Sequence, residues 1–132
     1  MKEEHQKIFD TCNKLCQEIE VAMKIPIDHA NGNELKEGLE HLRPYLSNMP
    51  LLVAQSQGLW DTMKGEVVND IIIEEKLLNL KSDLQRKWIE GKLAKFSSLV
   101  LRVESLEKNL RSSMEALISN LSYEKELMKK IN

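Results

Sequence analysis

A chain of 132 residues has room for one domain with a single modest core. Its 19 basic and 21 acidic side chains leave a formal net charge of −2, which gives no general pull toward nucleic acid or an anionic membrane. Aromatic residues are 5% of the chain and charged residues 30%, a balance that suits helices packed through Leu, Ile, Val and Met and excludes most sheet architectures.

Residues 1–65 carry a net charge of −3 and residues 66–132 one of +1, too small an asymmetry to mark a basic footprint. No apolar run reaches the roughly 18–20 residues of a spanning helix. The opening Met1-Lys2-Glu3-Glu4-His5 lacks the apolar core of a leader. With Cys12 and Cys16 four residues apart, where a mutual disulfide is awkward, the expected setting is reducing and cytoplasmic.

The first element runs from about Glu3 to Lys24. Ile8, Cys12, Leu15, Cys16, Ile19, Ala22 and Met23 recur at helical spacing and form one apolar stripe. Pro26 stops it, and Pro26 to Asn33 reads as a loop. Two thiols at i and i+4, with His5 upstream, have half the composition of a zinc site. His29 and His41 are scattered, however, and free cysteines behave as small buried hydrophobes. Both therefore read as core, with no metal or other cofactor expected.

A second helix starts near Glu34, with Asn33 as its N-cap. Leu35, Leu39, Leu42, Leu46, Met49, Leu52, Val53, Leu59, Trp60 and Met63 continue an apolar stripe. Pro44 and Pro50 predict a kink or break at 44–50, because each removes a donor and crowds the preceding turn. Lys64-Gly65 predicts the end of this segment.

Glu34, Glu37 and Glu40 recur every three residues, and Glu66 and Asp70 follow further along. This pattern loosely resembles the MazG-like all-α nucleotide pyrophosphohydrolases. The resemblance implies carboxylates from two neighbouring helices holding magnesium against a triphosphate. The family's second motif expects Glu-x-x-Asp; here Asn69 follows Glu66 at that spacing and Asp70 comes one position late. A solvated helix face is the simpler reading. Glu-x-x-His, phosphate-loop, dinucleotide-fingerprint, nucleophile-elbow and His-Glu-x-x-His patterns are absent from the sequence.

Residues 66–132 contain no proline and one glycine, Gly91. Asn69 or Asp70 predicts the cap of a short helix through Ile71, Ile72, Leu77 and Leu78. From about Ser82 to Lys130 one long amphipathic helix is expected. Its stripe is Leu84, Trp88, Phe96, Leu99, Val103, Leu106, Leu110, Met114, Leu117, Leu121 and Met128. Lys76, Lys81, Arg86, Lys87, Lys92 and Lys95, with Trp88 and Phe96 nearby, offer an alternative as a nucleic-acid contact. The plainer account makes the aromatics core and the lysines its solvated flanks.

Residues 106–126 include Leu110-Arg111-Ser112, then Ile118-Ser119 and Tyr123-Glu124-Lys125-Glu126. This stretch resembles the terminal helix of small helical accessory proteins of bacterial phages and mobile elements. That likeness implies an adaptor role and no activity.

The sequence thus predicts one all-α domain, a helical bundle with coiled-coil-like packing. It divides into a proline-kinked helical hairpin over 1–65 and a long helical segment over 66–132. A helix of roughly 70 Å outreaches shorter partners at 1.5 Å per residue. Its distal stripe, Val103, Leu106, Leu110, Met114, Leu117, Leu121 and Met128, is therefore expected to bind a second copy or another helical protein. The function expected is non-enzymatic: an oligomeric adaptor, assembly factor or inhibitor acting through an apolar helix face, without membrane contact.

Overall fold

Helix α1 spans Glu3–Met23, α2 Gly32–Ile73, α3 Glu75–Leu78 and α4 Ser82–Ile131, in a computed structural model that describes residues 1–131. No strand occurs among the described residues, and the protein is an all-α helical bundle. Glu3 and Glu4 in the first turn of α1 face the positive end of its dipole, and Lys129 and Lys130 face the negative end of α4.

The connection at 24–31 is laced by short polar bonds. Asp28 Oδ1 accepts from the Ala30 amide at 2.9 Å, and Glu34 Oε2 accepts from the Asp28 amide at 2.7 Å. The N-cap is Asn31, two residues before the expected Asn33. Its Oδ1 accepts from the amides of Asn33 and Glu34 and satisfies two of the donors that a helix start leaves unpaired. Ile27 leaves this loop to pack beside Leu117 and Gly38, which is buried. A Cβ at Gly38 would lie 2.6 Å from Ile27 Cδ1, so any larger residue there must push the end of the Ile27 side chain aside.

Of the kink or break expected at 44–50, the break does not occur: α2 continues through Pro44 and Pro50 for 42 residues. Both rings face solvent, where a carbonyl robbed of its donor can be hydrated. Leu42, Met49 and Leu52 meanwhile remain buried on the inner face. An interior proline costs about 3 kcal/mol, and burial of each such side chain returns roughly 1.5–3 kcal/mol. Helices in proteins persist mainly through tertiary packing of this kind. Nor does Lys64-Gly65 end the helix, since Val67 and Ile71 continue the buried stripe to Ile73. The short helix expected through Ile71–Leu78 is reduced to α3. The long C-terminal helix lies where the apolar stripe places it, Ser82–Ile131.

Helices α2 and α4 form an antiparallel hairpin. Trp60 Nε1 donates to Ser97 Oγ at 2.9 Å, and Leu39 lies beside Leu121 in one shallow cleft. The Gln85 side chain donates to the carbonyls of Leu77 and Leu78 and ties the start of α4 to the turn. Helix α1 lies in the groove on one side of this hairpin. His5 is level with Glu66, Phe9 with Phe96, and Glu20 with Arg102, so α1 runs antiparallel to α2 and parallel to α4. The Phe9 and Phe96 rings meet edge to face with centroids 5.5 Å apart. Because α1 has half the residues of α2, the hairpin continues beyond it past Glu66.

Candidate functional site

The distal stripe of α4 is covered by the chain itself. Val103, Leu106, Leu110, Met114 and Leu117 are all buried, with Leu110 at 0% exposure, and Leu121 is half-buried against the same core. Only Met128 of the seven expected partner residues is open to solvent, at 63%. The expectation depended on α2 stopping short. At 1.5 Å per residue α2 is about 63 Å long and α4 about 75 Å, so α2 covers nearly the whole stripe. This face is therefore intrachain core and not the free surface that the sequence suggested.

The MazG-like carboxylates do not converge. Glu40 and Glu66 are 26 positions apart on the same continuous helix, which separates them by about 40 Å. Nor do all three glutamates meet. Glu34, which accepts from the Asp28 amide, and Glu37 line one cleft with Ile25, Pro26 and His41, whereas Glu40 lies beside Arg43 and Lys125. That cleft holds about 240 Å³, less than the ~300–1,000 Å³ usual for ligand sites.

Nor do the basic residues form one face. Arg86, Lys87, Lys92 and Lys95 are exposed but point around the circumference of α4 at about 100° per residue. Phe96 is buried and unavailable for stacking, and Trp88 is half-buried beneath Lys92, whose Nζ sits 5.5 Å from the ring.

Cys12 and Cys16 take the core positions read from the sequence. Burial pushes both thiols up, and the nearby Arg102 partly offsets this at Cys16. Arg102 forms a two-pronged bond to Glu20, at 2.7 and 2.9 Å, and donates to Asn13 Oδ1 at 3.1 Å. Its guanidinium holds the Glu20 carboxyl below the usual carboxylate range through these bonds. The cluster clamps α1 to α4.

A different surface stands out. Val68, Ile72, Ile73, Leu78 and Leu84 are exposed large apolar residues gathered at the closed end of the hairpin, beyond α1. Ile73 reaches 71% exposure and Leu84 48%. Charge is segregated there as well. From 65 to 74, the end of α2 and its C-cap carry Glu66, Asp70 and Glu74 and no base. From 81 to 95, the residue before α4 and the start of α4 carry Lys81, Arg86, Lys87, Lys92 and Lys95 against Asp83 and Glu90. Sequence reading passed over this end because α2 was expected to stop at Gly65. The signal available was Ile71-Ile72-Ile73, three apolar residues in a row, which no single helix face can bury. Comparison with family models, with curated proteins and with solved structures gives no match.

Proposed function

We propose that the chain is a non-enzymatic protein-interaction module, an adaptor, assembly factor or inhibitor that works by burying apolar helix surface. The observation that carries this reading is the cluster of exposed apolar side chains between Val68 and Leu84. Isolated surface hydrophobes need no explanation, whereas clustered ones mark contact sites. Covering each fully is worth ~1.5–3 kcal/mol, and several together offset the entropy lost on association. The likeness of residues 106–126 to phage accessory proteins supports, within the same proposal, a phage or mobile-element setting. The test is a photoreactive residue at position 73 or 84 in cells that express the protein. Protein adducts are expected from both positions and not from position 51, where the equally open Leu51 lies on the bundle body. Equal yields at 51, 73 and 84, or none at 73 and 84, would end the reading.

A further inference from the structure

We infer that Asn31-Gly32 is a site of self-modification, at which the chain converts the N-cap of α2 into a carboxylate by intramolecular deamidation, and that the cap itself sets the rate.

The nucleophile is the Gly32 amide nitrogen. Asn31 is the only asparagine in the chain that a glycine follows. Glycine leaves the attacking nitrogen unhindered and its backbone free to turn. This amide is also unengaged. Among the described residues, the amides of Asn33 and Glu34 donate to Asn31 Oδ1 and that of Leu35 to the Asn31 carbonyl, while the Gly32 amide makes no hydrogen bond. No packed neighbour lies within 4 Å of where a Gly32 Cβ would stand, and Asn31 is exposed, so water reaches the pair. Elsewhere the following amide is engaged. Leu80, after Asn79, donates to the Leu77 carbonyl at 3.2 Å. Asn13, Asn48, Asn69, Asn109 and Asn120 precede amides in the ladder of their own helix.

The reaction balances with water as its one co-reactant. The Gly32 nitrogen attacks Asn31 Cγ. The N–Cγ bond forms, the Cγ–Nδ2 bond breaks, and ammonia leaves with the proton from the Gly32 nitrogen. Water then opens the cyclic imide. Attack at Cγ restores the main chain and leaves aspartate. Attack at the main-chain carbonyl carbon leaves isoaspartate, whose main chain runs through Cβ and Cγ and is longer by a methylene. The two products act in opposite directions. Aspartate keeps an oxygen for the Asn33 and Glu34 amides and sets a negative charge at the positive end of the α2 dipole. Isoaspartate takes the carboxylate off the capping side chain and lengthens the connection that seats Ile27 beside Gly38 and Leu117.

The fold restrains the first step. While Oδ1 accepts at 3.0 and 3.2 Å, Cγ is held over the first turn of α2, and the backbone at Asn31 is extended, with φ −113° and ψ 108°. Both bonds must break before Cγ can swing to the Gly32 nitrogen. The Glu34 bond to the Asp28 amide, at 2.7 Å, braces the same loop. Reaction therefore proceeds from the locally opened cap. A cap of this kind holds the folded rate about tenfold below that of the unfolded chain.

The test is peptide mapping by mass spectrometry of the full chain aged at neutral pH, folded or in concentrated guanidinium, with released ammonia measured in parallel. The mass gain of an amide-to-acid conversion is expected at Asn31 in both, about tenfold slower in the folded chain, with no other asparagine keeping pace. Glu34→Ala should speed the folded reaction severalfold and leave the unfolded rate unchanged. Gly32→Ala, whose Cβ has room in the fold, should slow the reaction in the unfolded chain. The isoaspartate form, separated by chromatography, should unfold at lower denaturant than the unaged chain. Asn31→Asp should unfold at the same concentration or higher. Equal folded and unfolded rates would overturn the inference. So would a folded chain that stays unconverted long after the unfolded one has reacted fully, or an isoaspartate form as stable as the unaged chain.

Discussion

At the scale of single residues, the Glu20–Arg102–Asn13 cluster makes the stability of this protein depend on pH. Arg102 lowers the Glu20 carboxyl, chiefly by hydrogen bonding. In the unfolded chain that carboxyl returns to its ordinary range, so the unfolded state takes up the proton first as pH falls. The stabilisation is complete above the ordinary carboxylate range and is lost as pH drops through the folded value. Glu20 and Arg102 keep about a third of their side-chain surface in water, so the pair is worth only about 0.5–1 kcal/mol. Glu20→Gln should lower the unfolding free energy read from urea titration by that amount at neutral pH, and the difference should vanish as pH falls through the lowered Glu20 value. Glycines give a second contrast. Gly58 is in open space within α2, and Gly58→Ala should stabilise by about 1 kcal/mol. Gly38→Ala should forfeit that gain, because its Cβ must displace Ile27. Chemical unfolding of the two variants side by side checks the difference.

At the scale of elements, α2 tests how far packing overrides local preference. Pro44→Ala restores the amide that can bond to Glu40 and removes a ring from a helix interior worth about 3 kcal/mol. The unfolded chain regains some freedom, worth ~0.4–1 kcal/mol. A net gain of about 2 kcal/mol is expected, read as a higher denaturant midpoint with an unchanged slope. Without that gain, the helix would have to depend on the bend that a proline imposes. This element also shows where sequence reading succeeds and where it stops. The stripes of α1 and α4 were legible because 3.6-residue periodicity reports directly which face is apolar. The course of α2 was not, because Pro44, Pro50 and Gly65 are local signals for stopping. The burial of Met49, Leu52, Val67 and Ile71 that outweighs them exists only after α4 has folded back. Periodicity likewise marked Val103 to Leu117 as a face to be covered and was silent on which chain covers it. The hairpin end escaped for the same reason: its exposure follows from the lengths of α1 and α2 relative to each other.

At the scale of the whole molecule, one buried seam joins all three long helices, and its disruption should be global. Leu106 and Leu110 lie in a core shared with α1 and α2. Leu106→Glu with Leu110→Glu sets two carboxylates in apolar surroundings without partners. Each such burial costs several kcal/mol, against a total stability of about 5–15 kcal/mol for a domain of this size. The double variant should therefore unfold, and not merely dissociate an assembly. Met128→Glu, on the open residue at the distal end of the stripe, should be silent. Cys12 and Cys16 provide the readout. Both are fully buried, and burial disfavours the reactive thiolate. In the wild type and in Met128→Glu, a thiol reagent should label them only as fast as the bundle opens. In the Leu106/Leu110 variant, labelling should match that of the urea-unfolded chain, with far-ultraviolet helicity lost in parallel. Slow labelling with helicity intact would mean that these leucines face outward after all. The surface at Ile73 and Leu84 would then have to compete with the distal seam as the place where this protein meets its partner.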